Sequence, residues 1–180
     1  LAVVVPVAFT WARRTLKDGS TSADGEVTVP GGRLTSGALR DLPSPPWRVV
    51  YEIADDKLGG IEHVLIGPAG IFAVQTSMEP MPSPPDGEPN AHEIARAAIA
   101  RGGLDDALTG CGLSSDRLVR IHWTESPNIS VDLMPGVTAV DGRDLEEWTQ
   151  SLDTSVLTPA QVDLGWQTVL TSIGRPDPLA

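Results

Sequence analysis

The chain has 180 residues, 41% of them apolar and 21% charged, which is enough for one domain with a real core and argues against wholesale disorder. Its formal net charge of −11, from 24 acidic and 13 basic residues, makes a poor field for a polyanion. Affinity for nucleic acid comes largely from Lys and Arg at phosphates, and the largest basic cluster is Arg13-Arg14 with Lys17.

The chain opens on an apolar run, LAVVVPVAF, too short to span a bilayer and followed rather than preceded by positive charge. It reads as a strand interrupted at Pro6, with a remnant of a longer membrane segment as the other reading. Residues 18–32 are turn-rich, with a short strand at Glu26–Val29. In residues 33–42, Leu34, Ala38, Leu39 and Leu42 line one helical face, and Pro43, Pro45 and Pro46 stop the helix. Trp47–Ile53 predicts a strand and Ala54–Gly60 a turn. Ile61–Ile66 and Ile71–Thr76 predict two more strands, joined by the tight turn Gly67-Pro68-Ala69-Gly70 as an antiparallel hairpin buried on both faces.

Met78–Asn90 carries Pro80, Pro82, Pro84, Pro85 and Pro89 and reads as an exposed loop. His92–Ala100 predicts a helix that breaks at Gly102-Gly103, with a second helical piece at Leu104–Leu108. Arg117–Trp123, Asn128–Leu133 and Val137–Val140 predict strands, and Asp144–Leu152 a helix. The last helix, Ala160–Ile173, takes Thr158 as N-cap and Pro159 at its first position, ahead of a loose tail from Gly174. The expected organisation is an extension over 1–31, one domain over 32–174 and a tail over 175–180. The fold class is α/β, a central mixed sheet flanked by helices.

Within this frame, IEHVLIGPAGIFAVQTS at residues 61–77 resembles the nuclease-related domain family of the restriction-endonuclease-like superfamily, whose pattern reads IDHVVVGPAGVFVIETK. The shared positions include His63, Val64, Gly67, Pro68, Gly70 and Phe72. The closing stretch, VTAVDGRDLEEWTQSL and LTPAQVDLGWQTVL, resembles the strand, helix and helix that end such domains. The resemblance implies a restriction-endonuclease-like sheet and metal-assisted phosphodiester hydrolysis. In that chemistry an acid opens one strand, Glu or Gln stands on the next to hold Mg²⁺, and a Lys two residues on assists the attacking water. Carried over, the acid is Glu62, the Gln is Gln75, and the lysine position holds Ser77, neither a cation nor a base. The family helix contributes a Glu, whereas residues 33–42 offer only Asp41.

These departures imply a catalytically inactive nuclease-like domain that serves as a binding or scaffolding module for another protein, with no cofactor. The alternative is an atypical Mg²⁺-dependent nuclease that uses Glu62 and Gln75 as vestigial catalytic and metal residues. Lys57 and Glu79 are the groups that would rescue the site, though each reads first as a solvated charge. A third reading is an interaction module whose fold is incidental. The expected location is the cytoplasm or the cytoplasmic face of a membrane, with any anchor supplied by residues upstream of Leu1.

The other chemistry-bearing residues point elsewhere. His63, His92 and His122 have no zinc-motif spacing; His63 and His122 read as packed strand residues, His63 on the face opposite Glu62, and His92 as solvent-facing. Cys111 allows no internal disulfide and, between two glycines, reads as a half-buried thiol. The tryptophans are dispersed, and no helix follows Gly67–Gly70 to make a phosphate loop.

Overall fold

The computed structural model describes residues 30–53, 58–81, 91–124 and 128–175. The expected N-terminal strand and Glu26–Val29, with Lys57, residues 82–90 and residues 176–180, lie outside them. Among the described residues no helix is long and apolar enough to cross a membrane.

Six strands form one mixed sheet in the order β1-β2-β3-β4-β6-β5. Helix α1 (Pro30–Asp41) precedes β1 (Arg48–Val50), β2 (His63–Gly67) and β3 (Gly70–Ser77). Helix α2 (Ala91–Thr109) then crosses to β4 (Arg117–His122), followed by the hairpin of β5 (Ser130–Met134) and β6 (Val137–Asp141). Helices α3 (Leu145–Gln150) and α4 (Pro159–Ser172) close the order. β1, β2 and β3 pair antiparallel, β3, β4 and β6 run parallel, and β5 returns antiparallel on β6.

The predicted hairpin forms with Gly67 opposite Gly70 and Pro68-Ala69 as its loop. Its tip is also a docking point, because the Pro68 carbonyl accepts the amides of Val156 and Leu157 at 3.0 and 2.9 Å. Strand alternation splits the apolar run between two cores. Val64, Ile66, Ile71, Ala73, Leu118 and Val137 face α2 and α4. Leu65, Phe72, Val74, Val119, Ile121 and Val140 face α1 and α3. Gly67 is required by this second core: a Cβ there would stand 2.1 Å from the ring of buried Trp47.

Four expectations need correction. α2 runs unbroken through Gly102-Gly103. Ala97, Ala100, Leu104 and Leu108 recur at helical spacing and are all buried, and that burial outweighs about 1 kcal/mol of lost propensity per glycine. α1 begins at Pro30 rather than Arg33, inside the expected extension, with proline at its first position. β1 keeps only three residues of the expected Trp47–Ile53, because Glu52 adopts a left-handed φ of 52° and the pairing slips. Arg175, assigned to the loose tail, donates to the Tyr51 and Glu52 carbonyls at 2.5 and 2.6 Å. The last helix starts as expected: Thr158 and Gln161 form a reciprocal capping box with proline at the helix start.

Candidate functional site

Glu62 stands just before β2, where alternation does not yet bind it. Its amide donates to the Val74 carbonyl at 3.0 Å, and its own carbonyl accepts from Ile53 at 2.8 Å. Its carboxylate accepts from the Thr76 hydroxyl at 2.5 Å and the Thr76 amide at 3.3 Å. Thr76 lies on the α1 side of β3, the side that His63 shares through its pairing with Val74. Glu62 therefore reaches the same side as His63, against the expectation, because the strand begins only at His63.

The cluster continues into α1. The Thr76 and Thr35 hydroxyls lie 2.9 Å apart, and the Trp123 indole N–H donates to Thr35 at 2.9 Å. A hydroxyl has one proton to give. With that of Thr76 spent on the carboxylate, the chain of donors runs from Trp123 to Thr35 to Thr76 to Glu62. Thr35 is fully buried, so this relay ties α1 and the end of β4 to the start of β2. Glu62→Gln is expected to destabilise the fold by about 1–3 kcal/mol, because it removes the charged acceptor at the end of the relay. Urea melts of the two proteins check this, and equal midpoints would refute it.

Gln75 and Ser77 share the other side of β3. The Gln75 amide donates to the Gly60 carbonyl at 3.2 Å, and the Ser77 hydroxyl accepts from the Glu79 amide at 3.2 Å. The carried-over pair is thus not brought together: Glu62 is engaged with Thr76 and Gln75 with Gly60. Mg²⁺ is held by converging oxygen ligands, chiefly carboxylates. As arranged, Glu62 and Gln75 do not fit that requirement. Among the described residues no group of three or more His, Cys, Asp and Glu gathers either.

What the parallel strands do bring to Gln75 and Ser77 was missed from the sequence. Arg120 stands beside Gln75, His122 beside Ser77, and Asp141 beside His122. The signal was there in RLVRIH and VTAVD, where these residues fall on one face, but the register depends on where α2 delivers β4. His122 is buried, and its Nδ1 lies 3.0 Å from the Glu79 carbonyl, so Nδ1–H donates there in the neutral ring. Its Nε2 is buried with no partner among the described residues. Thr124 also donates to the Glu79 carbonyl, at 3.0 Å. Asp141 is buried and spent on Arg143, whose amide and Nε donate at 3.0 and 2.8 Å. Glu79, considered as a rescuing carboxylate, acts here through its backbone.

His63 is 2% exposed, and its Nδ1 accepts the Glu52 amide at 3.1 Å. The ring meets Tyr51 edge-on with centroids 5.9 Å apart. Burial pushes the His63 pKa below its ordinary 6.5, against the opposing pull of Glu62 and Glu52. The folded state therefore prefers the neutral ring. The stability this contributes is complete above the unfolded value of 6.5 and is lost as pH falls from there toward the lower folded value. His63→Gln is expected to flatten that part of the stability–pH curve. Urea melts from pH 7.5 downward would show parallel curves if His63 were not the cause.

No family model, no curated protein and no solved structure matches the chain.

Proposed function

We propose that this chain is a nuclease-related domain of the restriction-endonuclease-like type that acts as a binding or scaffolding module for another protein and does not hydrolyse phosphodiesters. The observation that carries the reading is Glu62, whose carboxylate is the terminal acceptor of the Trp123–Thr35–Thr76 relay. A residue in the position of a metal ligand has become a structural acceptor. Ser77 in place of lysine supports the same reading, since losing one charge-stabilising group costs on the order of 10²–10³ in rate. The fold-level part is supported by the element order, a helix, three antiparallel strands, a helix and a parallel strand, with the Gly-Pro-Ala-Gly hairpin at its centre.

One observation favours the alternative, an atypical Mg²⁺-dependent nuclease using Glu62 and Gln75. Arg120 stands next to Gln75, so a cation occupies the neighbouring strand where β3 itself has none. The test is incubation of the chain with plasmid and single-stranded DNA in Mg²⁺ or Mn²⁺. No cleavage above the Glu62→Ala background is expected. Cleavage that Glu62→Ala abolishes, in a variant shown by circular dichroism to be folded, would overturn the proposal in favour of the nuclease.

A further inference from the structure

The peptide that joins Tyr51 to Glu52 is held at both ends by side chains from elsewhere in the fold. Its N–H donates to His63 Nδ1 at 3.1 Å, and its carbonyl accepts from the Arg175 guanidinium at 2.5 Å. Arg175 also donates to the next carbonyl, that of Glu52, at 2.6 Å. The C=O and N–H of a trans peptide point opposite ways, so the two side chains grip this one from opposite sides. The grip sets an unusual backbone. Glu52, at φ 52°, is the one non-glycine residue with positive φ among the described residues. In that region the Cβ crowds the following carbonyl oxygen. Regular pairing ends there: Ile53 donates to the Glu62 carbonyl at 2.8 Å, one residue out of the register that sets Val50 opposite Val64.

The same grip imposes the tautomer of His63. Nδ1 accepts, so the proton of the neutral ring sits on Nε2. Nε2 is buried and has no partner among the described residues. The charged groups around the ring are few. Burial holds its pKa below 6.5, against the pull of Glu62 and Glu52. The Glu62 carboxylate is engaged with Thr76, and β3 sets the apolar Val74 opposite His63. Tyr51 meets the ring edge-on, and the charges that act on Tyr51 are Arg40 and Asp41 of α1. A proton on Nδ1 turns that acceptor into a donor, and two N–H groups then face each other. Turning the peptide over removes the conflict. The Tyr51 carbonyl then faces Nδ1–H, φ of Glu52 moves by a half-turn into the extended region, and Arg175 loses its first acceptor.

We infer that His63 and Arg175 form a proton-operated latch on the exit of β1: when His63 takes a proton at Nδ1, the Tyr51–Glu52 peptide turns over and Arg175 is released. At neutral pH Arg175 covers the two carbonyls that follow β1. In mild acid those carbonyls are open and Glu52 is extended, so β1 can lengthen along the run expected from Trp47–Ile53. Arg175 is the counterweight: it stabilises the orientation that the neutral ring needs and so opposes protonation. The latch works the same way in a scaffold or in a nuclease.

The test is an NMR titration of the isotope-labelled full chain from pH 7.5 downward. At the start the His63 ring is expected to carry its proton on Nε2 alone. As the ring titrates below 6.5, the HN–Hα coupling of Glu52, which reports φ, should change with the same midpoint. The Arg175 guanidinium N–H groups should exchange faster with water over the same range. The Trp148 signals, from the core on the α1–α3 side, should stay native and so separate a local event from unfolding. Arg175→Ala, at an exposed position, should raise the midpoint, with the proton held about fivefold more tightly, the effect of one hydrogen bond lost from the neutral form. His63→Gln, whose side-chain oxygen can accept the same amide, should abolish the response at Glu52 and Arg175. A ring that titrates while the Glu52 coupling stays constant overturns the latch. So does a proton on Nδ1 at pH 7.5, or an Arg175→Ala midpoint at or below that of the parent chain. Loss of the native Trp148 signals at the His63 midpoint overturns it as well, because protonation then unfolds the domain.

Discussion

Gly59→Ala is expected to destabilise the domain by about 3–4 kcal/mol, combining a left-handed backbone penalty with a clash that cannot relax. Gly59 has φ +73°, and a Cβ there would lie 2.5 Å from the Ile99 carbonyl oxygen and 2.6 Å from the Ala100 Cα. Both obstacles are backbone of α2, so no rotamer change clears them. The neighbour provides the control. Gly60 has the same φ of +73°, and a Cβ added there would meet nothing within 4 Å. Gly60→Ala should therefore lose only the conformational term, about 1–2 kcal/mol. Urea melts of the two variants separate the contributions. Equal losses would mean that the turn before β2 does not press on α2 as the structure has it.

Phe72→Ala is expected to cost about 3–5 kcal/mol, the range for removing a fully buried aromatic side chain and leaving its cavity. Phe72 is 1% exposed at the centre of the α1–α3 core. Its ring packs edge-on against Trp148 at 5.7 Å and tilted against Trp47 at 6.2 Å. Phe72→Leu keeps most of the volume and should lose less than half as much. The near-ultraviolet dichroism of the two tryptophans should weaken in Phe72→Ala even at temperatures where the fold survives. An unchanged spectrum would place the tryptophans in a different packing.

The hairpin was readable because two local signals agreed: uninterrupted apolar runs and a Gly-Pro-Ala-Gly turn too short for anything but antiparallel pairing. The capping box at Thr158 was readable for the same reason, being complete within four residues. The Gly102-Gly103 break failed because propensity is a weak local term, and the buried face from Ala97 to Leu108 overrode it. Glu62 was misplaced for a different reason. Strand alternation assigns faces only inside a strand, and β2 starts one residue later. The row of Arg120, His122 and Asp141 beside Gln75 and Ser77 depends on a parallel register set by a crossover helix, which no stretch of sequence encodes locally.

The two rims of the sheet have a common character. β1 ends after three residues at the left-handed Glu52, and Arg175 occupies the carbonyls beyond it. β5, at the opposite rim, carries a register shift between Asp132 and Met134 and an exposed acid at Asp132. Irregularity and charge are the devices by which open sheets avoid templating foreign strands. Among the described residues, neither rim of the six-stranded sheet therefore offers a long, regular edge for a foreign strand to pair with.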